Sequence, residues 1–218
     1  RSSDLNTIAG KLLPDTGTVA VSGKDVTRMP DHRRAASIGR VFQDPTAGTA
    51  PNLTIEENMA LAWRRGHARG LSRGVSRARR AMFRDELTKL ELGLENRLTA
   101  KVGLLSGGQR QALSLLMATF SGPKILLLDE PLGALDAMTR ITMQDELARI
   151  WREQQVTMIL VTHDLEEAIF LADRVLVMPR EKGTPPRLID IDLPRPRDRS
   201  EARFVAMRRR LMAEFGLH

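Results

Sequence analysis

The spacing of apolar positions along the chain predicts its secondary structure. Three short runs are almost entirely apolar, at 125–128, 157–161 and 175–178. Runs without polar alternation are typical of strands that are buried on both faces, as in a parallel sheet. Helical patterns lie before and between these runs, at 106–120, 139–154 and 164–172. The alternation of strands with helices therefore predicts an α/β protein built on a parallel sheet.

The first half of the chain carries weaker signals, which predict short strands followed by a helical region. A helix is expected over 5–9, ending at Gly10, and β-prone runs follow at 17–21 and 38–42. The pattern is helical from Thr54 to Leu92, and Thr54 with Glu57 predicts a capping box. The apolar positions expected to face the core here are Leu61, Met82, Leu87 and Leu90.

Composition narrows the class of protein. The 218 residues are 42% hydrophobic and 28% charged, which is an ordinary globular balance for one large domain or a core with a subdomain. Because the chain has no cysteine, disulfides and thiolate metal sites are excluded. The apolar runs are far shorter than the roughly 20 residues that a membrane-spanning helix needs. Any link to a membrane is therefore expected to go through a partner or the protein surface.

The net charge of +7 indicates a basic surface, which can bind nucleic acid, anionic lipid or phosphate groups. Aromatic residues make up only 4% of the chain and tyrosine is absent, which disfavours a base-stacking platform for single strands. Arginines concentrate between 64 and 84. A solvated helical face and a contact with lipid headgroups or a partner are both open readings of this stretch.

Ser106-Gly107-Gly108-Gln109 stands at the start of a predicted helix. A helix N-terminus presents unpaired N–H groups and a positive partial charge, and two glycines let an anion approach the backbone closely. The segment is therefore a candidate phosphate site. The alternative is a serine N-cap followed by a turn.

Polar side chains follow three of the predicted strands. Asp129 and Glu130 end the run at 125–128, His163 follows the run at 157–161, and Gln43 follows 38–42. Carboxyl ends of parallel strands are where α/β sheets bind ligands. A carboxylate there can hold Mg²⁺, and a second one can polarise an attacking water. Taken singly, each could instead be a solvated or structural residue.

The motifs together carry a family resemblance. In order they are Val41-Phe42-Gln43, Leu105-Ser106-Gly107-Gly108-Gln109, Leu127-Leu128-Asp129-Glu130-Pro131, Gly133-Ala134-Leu135-Asp136 and Val161-Thr162-His163-Asp164. Their order and spacing resemble the ATPase subunits of ABC transporters over nearly the whole chain. The resemblance implies a P-loop NTPase fold, with a RecA-like parallel sheet core and an inserted α-helical subdomain. The implied divisions of a single ABC ATPase domain are a core at 1–43 and 123–193, a helical signature subdomain at 44–122 and a basic C-terminal tail at 194–218.

The same resemblance implies ATP and Mg²⁺ as cofactors and gives each candidate residue a role. Glu130 resembles the catalytic glutamate, His163 the switch histidine and Gln43 the Q-loop glutamine. Asp129 resembles the Walker B aspartate and, with Gln43 and Ser2, forms the expected set of Mg²⁺ ligands. The residues expected to contact nucleotide are Arg1, Ser2, Ser3, Leu105, Ser106, Gly107, Gly108, Gln109 and Asp136.

Partners also follow from the resemblance. Two such subunits, identical or different, close head to tail around ATP, so that each signature segment contacts the nucleotide held by the other. The expected further partners are transmembrane permease subunits and a solute-binding protein, with no nucleic acid. The implied function is ATP hydrolysis of the ABC type, not the P type, which energises solute import. The implied location is the cytoplasmic face of the cell membrane.

One expected motif is missing from the sequence. The family carries Gly-x-x-x-x-Gly-Lys-Ser/Thr before its first helix. Aligning that helix with 5–10 places Arg1, Ser2, Ser3 and Asp4 over the end of the motif, and the glycine-rich loop then lies upstream. Arginine is not a conservative replacement for the lysine. The Asp4 carboxylate would stand near the phosphates, which is unfavourable because both groups are negatively charged. The chain as given is therefore interpreted as N-terminally truncated and expected to bind ATP weakly.

The transported substrate and two rival functions stay open at this stage. The sequence of 43–60 resembles that of ATPase subunits from importers of amino acids or small solutes. The sequence from Pro131 onward resembles that of nitrate, sulfonate or taurine importers. One rival is a degenerate or truncated subunit without autonomous ATPase activity. The other is a soluble ABC ATPase that acts on DNA or ribosomes, which the lack of a long coiled-coil insertion or a tandem domain disfavours.

Overall fold

Parallel strands and flanking helices make up the longer of the two units into which the chain divides, Arg1–Val161 and Thr162–His218. The computed structural model describes residues 2–65, 74–133, 135–179 and 184–214. The first unit contains α1 (Ser2–Ala9), β1 (Ala20–Val21), β2 (Lys24–Asp25), α2 (Asp31–Arg34), β3 (Ile38–Val41), α3 (Ile55–Trp63), α4 (Arg77–Thr88), α5 (Gly107–Thr119), β4 (Ile125–Asp129), α6 (Ala137–Gln154) and β5 (Thr157–Val161). The second contains α7 (Leu165–Leu171), β6 (Arg174–Val177), β7 (Arg187–Asp190) and α8 (Ala202–Glu214).

The larger sheet of the first unit has the strand order β3-β4-β5 with both pairings parallel, and β1 and β2 form a separate antiparallel pair. Leu127 of β4 lies opposite Arg40 on one side and Ile159 on the other. The central strand β4 is buried from Leu126 to Asp129. This agrees with its unbroken apolar run, and the predicted α/β class is confirmed.

Helices cover both faces of this sheet. On one face, Leu5 of α1 joins a buried cluster that includes Ile38 and Leu127. On the other face, α5 packs so closely on β3 that a Cβ added to Gly39 would lie 2.5 Å from the carbonyl oxygen of Ala118. Only a glycine permits this approach. The strand ends are therefore held between two helices.

The region between β3 and β4 is helical, as its pattern predicts. The capping box at Thr54 and Glu57 is present at the start of α3. Leu87 and Leu90 are fully buried, but Leu61 is 60% exposed, so its predicted core position is wrong. The buried face of α3 carries Ile55, Met59 and Ala62. Their spacing of four and three residues defines one helical face, from which Leu61 is turned away.

The second unit pairs its strands differently from the sequence prediction. The run at 175–178 overlaps β6 (Arg174–Val177), which is antiparallel to β7, with Val175 opposite Ile189. The interpretation of this run as a further strand of a parallel sheet is therefore wrong, since the third described parallel strand is β3. Exposure alternates along β6, as expected for a sheet with one solvated face. A short apolar run does not by itself distinguish the two arrangements.

A buried arginine closes the end of α7 in the second unit. The Arg197 guanidinium donates to the carbonyl oxygens of Ile169 at 2.6 Å and Ala172 at 2.7 Å. These are carbonyls at the C-terminus of a helix, which lack partners within it. Burial lowers the pKa of Arg197 to about 10.

Across the described residues, no helix is long and apolar enough to cross a membrane.

Candidate functional site

Two predicted catalytic residues meet at the carboxyl ends of β3 and β4. The Gln43 side chain donates from Nε2 to Oε2 of Glu130 at 3.1 Å. Because β3 and β4 are adjacent and parallel, residues that are 87 positions apart in sequence come within hydrogen-bonding distance. The fold therefore pairs a carboxylate with an amide at a sheet edge of the kind that binds ligands.

Glu130 leaves the strand through a strained backbone conformation. Its φ angle is 44°, in the left-handed region that few residues other than glycine adopt. Its N–H donates to the carbonyl of Val161 at 2.8 Å, and its carbonyl accepts from the N–H of Gly133 at 3.2 Å. These two bonds hold the turn in place against the strain. Such strain in a well-supported turn is frequent where a side chain must be aimed at a substrate.

Asp129 is the last residue of β4 and lies opposite Val161 of β5. Side chains alternate across a strand, so Asp129 shares the face of Leu127, against which α1 packs. Arg40 lies on that face too, and its Nη1 donates to Oδ1 of Asn6 at 2.8 Å. Burial lowers the pKa of the Arg40 guanidinium, and the negative charge of Asp129 opposes part of that shift. A buried carboxylate therefore stands near a partly buried cation at this edge.

A glutamine that the sequence analysis did not select connects the same two strand ends. Gln111 of α5 is 3% exposed, and its Nε2 donates to the carbonyl oxygen of Pro131 at 2.7 Å and of Phe42 at 3.3 Å. Phe42 precedes Gln43, and Pro131 follows Glu130. The only available signal was its place in the helix predicted over 106–120.

The predicted phosphate segment forms the start of α5. Ser106 is the N-cap, its hydroxyl accepts from the N–H of Gln109 at 3.2 Å, and Gln109 Oε1 accepts from the N–H of Ser106 at 3.2 Å. The second half of this capping box was not foreseen. Leu105 is buried and anchors the segment, whereas Gly107 is exposed and a Cβ added to it would meet no atom within 4 Å. Packing within the chain therefore does not require glycine at this position.

Asp136 begins the neighbouring helix α6. Its carboxylate accepts from the N–H groups of Met138 and Thr139 and from the Thr139 hydroxyl at 2.7 Å. The hydrogen bonds from Thr139 lower the pKa of the Asp136 carboxyl below its ordinary value of 3.8. A Cβ on Gly108 would lie 3.5 Å from both Leu135 and Thr139. The start of α5 is therefore adjacent to the start of α6.

For the remaining predicted residues, contact with the site stays a prediction. His163 is exposed and belongs to the second unit, so its predicted approach to the acids stays a prediction. Arg1 lies outside the described residues, and the side chain of Ser2 does too. Ser3 is exposed in the first turn of α1, where its carbonyl accepts from the Thr7 hydroxyl at 3.0 Å.

The oxygen donors at the strand ends fit a magnesium ion that is shared with a phosphate ligand. Within the described parts of the chain, no group of three or more histidine, cysteine, aspartate or glutamate side chains could form a complete metal cage. Mg²⁺ commonly binds through one or two protein oxygens, with substrate phosphates and water completing the shell. Asp129 supplies a carboxylate and Gln43 an amide oxygen of this hard type.

Comparison with known proteins decides the family. Residues 1–133 match the family model described as ABC transporter. This chain belongs to the ABC transporter ATP-binding family. An aliphatic sulfonates import ATP-binding protein of Rhodopseudomonas palustris is 40% identical over 95% of this chain and 74% of its own length. A tyrosine transport ATP-binding protein of Clostridioides difficile is 36% identical over 82% of this chain and 70% of its own. A nitrate transport protein of Klebsiella oxytoca is 35% identical over 97% and 78%.

A solved relative supports the fold and the chemistry. A dimeric ATP-binding cassette in a post-hydrolysis state, bound to ADP and Pi, superposes with a TM-score of 0.73 at 29% identity. The match covers 87% of this chain and 80% of that one. The chain is thus an α/β P-loop NTPase of the ABC type, and ATP binding and hydrolysis are its family activity.

Proposed function

We propose that this ABC ATPase energises the import of a small solute through permease subunits at the cytoplasmic face of a membrane. The relatives that support this are named for the import or transport of sulfonates, nitrate and tyrosine. Small anionic or zwitterionic solutes are therefore the proposed cargo class. A solute-binding protein is the further proposed component of such an importer.

The hydrogen bond between Gln43 and Glu130 carries the proposed chemistry. Glu130 acts as general base on the water that attacks the terminal phosphate, and Gln43 orients that water. Asp129 and Gln43, with the Ser2 hydroxyl, would hold Mg²⁺. When bound, that ion neutralises charge on the phosphate oxygens. The left-handed turn at Glu130 keeps its carboxylate against Gln43.

Hydrolysis is proposed to require a second subunit. The start of α5, with the segment from Leu105 to Gln109, would place its N–H groups and helix dipole against phosphates held by the partner. Asp136 would contact nucleotide beside it, and His163 the terminal phosphate. Arg1, Ser2 and Ser3 would contact the chain's own nucleotide. The proposed divisions are the core at 1–43 and 123–193, the signature subdomain at 44–122 and the tail at 194–218.

The decisive test is Glu130→Gln. Removing the base should lower ATP turnover by about 10²-fold or more, because general-base catalysis supplies about that factor. Binding of ATP and Mg²⁺, measured by calorimetry, should stay within about threefold of wild type, since the amide keeps the shape of the carboxylate. Glu201→Gln, an exposed acid in the second unit, is the matched control. Unchanged turnover in Glu130→Gln would rule out the general-base role.

The rival without autonomous activity is tested in the same assay. Turnover is measured for the chain alone and with its permease subunits in membranes. Stimulation by the permease subunits supports the import function. Turnover that stays absent in both settings favours the degenerate subunit, and turnover that only DNA or ribosomes stimulate favours the soluble class of ABC ATPase.

A further inference from the structure

Gln111 is a polar residue that lies buried inside the protein. It lies on α5, two residues after Gln109, and is 3% exposed. Glutamine is seldom buried unless its polar atoms find partners. Both of its hydrogen bonds go to backbone carbonyls of other elements, those of Phe42 and Pro131.

These two hydrogen bonds link the ends of β3 and β4 next to the candidate catalytic pair, which its own side-chain hydrogen bond also links. Gln43 and Glu130 are joined by their side chains at 3.1 Å. One residue before Gln43 and one residue after Glu130, the backbones are joined through Gln111 at 3.3 and 2.7 Å. A single carboxamide therefore joins the backbones next to the two candidate catalytic residues. A change at Gln111 should alter the distance between Gln43 and Glu130.

The other end of the Gln111 carboxamide is unsatisfied. Its Oε1 is buried without a hydrogen-bond partner among the described residues. An unpaired buried acceptor destabilises the fold. Folding stability alone therefore does not favour glutamine here. The two donated bonds at the strand ends are the feature that an apolar residue of the same length cannot reproduce.

We propose that Gln111 is a positioning residue for ATP hydrolysis, which braces the ends of β3 and β4 so that Gln43 and Glu130 keep their contact. This rests on the proposed roles of Gln43 and Glu130. Gln111 itself touches neither water nor nucleotide in this role. Because it lies on the helix that starts with Ser106, it also links that helix to the catalytic pair.

A double-mutant cycle tests the brace. Gln111→Met keeps the length of the side chain and removes both donated bonds. We expect its kcat to fall by about tenfold or more with KM for ATP little changed, because small displacements of catalytic groups are costly. In a Gln43→Ala background the same substitution should lower kcat by less than about twofold, because the contact it protects is already lost. Gln154→Met, an exposed glutamine on α6, is the matched control and should leave kcat unchanged.

Two outcomes overturn the proposal: wild-type turnover in Gln111→Met, or an equal loss in both backgrounds. If Gln111→Met fails to fold, Gln111→Asn decides, since it keeps the amide but is too short to reach both carbonyls. Hydrogen exchange gives a readout that does not need hydrolysis. The amides of Glu130 and Gly133 should exchange faster in Gln111→Met and unchanged in Gln154→Met. If the wild-type chain shows no turnover, the proposed function fails, and unchanged exchange would then refute the brace separately.

Discussion

At the scale of single residues, Gly39 and Gly107 differ in whether the packing of the chain leaves room for a side chain. Gly39 is required by the fold, because an added Cβ would collide with the backbone of α5. A Cβ added to Gly107 would meet no atom of the described residues within 4 Å, so packing among them does not require glycine there. The missing side chain leaves room for close approach by a ligand, which agrees with the proposed phosphate held by a partner subunit.

Gly107→Ala should therefore separate stability from function. Alanine is the better helix former, so the melting temperature should stay equal or rise slightly. ATP-dependent association of two subunits, measured by analytical ultracentrifugation, should weaken because the methyl group enters the space for phosphate. Gly74→Ala is the control, since its added Cβ would make only an ordinary 3.8 Å contact with Ala60. Normal association of Gly107→Ala would contradict the partner-phosphate role.

At the scale of elements, caps fix where the functional helices begin. Ser106 caps α5 and Asp136 caps α6, so two of the residues predicted to contact nucleotide each cap a helix. The sequence predicted the start of α5 correctly because a capping residue acts on its immediate neighbours. It placed the start of α6 at Thr139, two residues late, since that interpretation did not use Asp136 as a cap.

The stability that the Asp136 cap contributes to α6 is expected to depend on pH. Because the folded pKa of Asp136 is lowered, the cap's contribution to stability is fully present above pH 3.8 and is lost as the pH falls through the lower folded value. Thr139→Val removes the hydroxyl bond and should move the pKa of Asp136 upward. Titration of the Asp136 carboxyl carbon by NMR measures this, with Asp145, an exposed acid on the same helix, as the internal control. An unchanged Asp136 midpoint would refute the hydrogen-bond cause.

At the scale of the whole molecule, packing decided what periodicity could not. Arg34 is 2% exposed and donates to the carbonyls of Thr7, Ile8, Thr27 and Met29. A sequence gives no warning of this, because arginine is usually solvated and its partners here are backbone atoms. Leu61 shows the reverse case, an apolar residue left in solvent because α3 presents another face.

Close packing of α5 on the sheet is tested by Gly39→Ala. The added methyl group would overlap the Ala118 carbonyl, and relieving this should cost about 1–3 kcal/mol of unfolding free energy. Urea unfolding of the wild type, Gly39→Ala and the control Gly74→Ala measures the difference. Equal midpoints for all three proteins would show that α5 does not approach β3 so closely.

The sequence by itself determined the central strand β4, the caps of α3 and α5, and the residue types at the ends of β3 and β4. These follow from neighbours along the chain, whose interactions need no knowledge of distant contacts. Only the tertiary structure decided that Gln43 contacts Glu130, that Gln111 joins the same strand ends and that β6 pairs antiparallel with β7. Those facts depend on which strands become adjacent and which helix face turns inward, and both are set by packing between residues far apart in the chain.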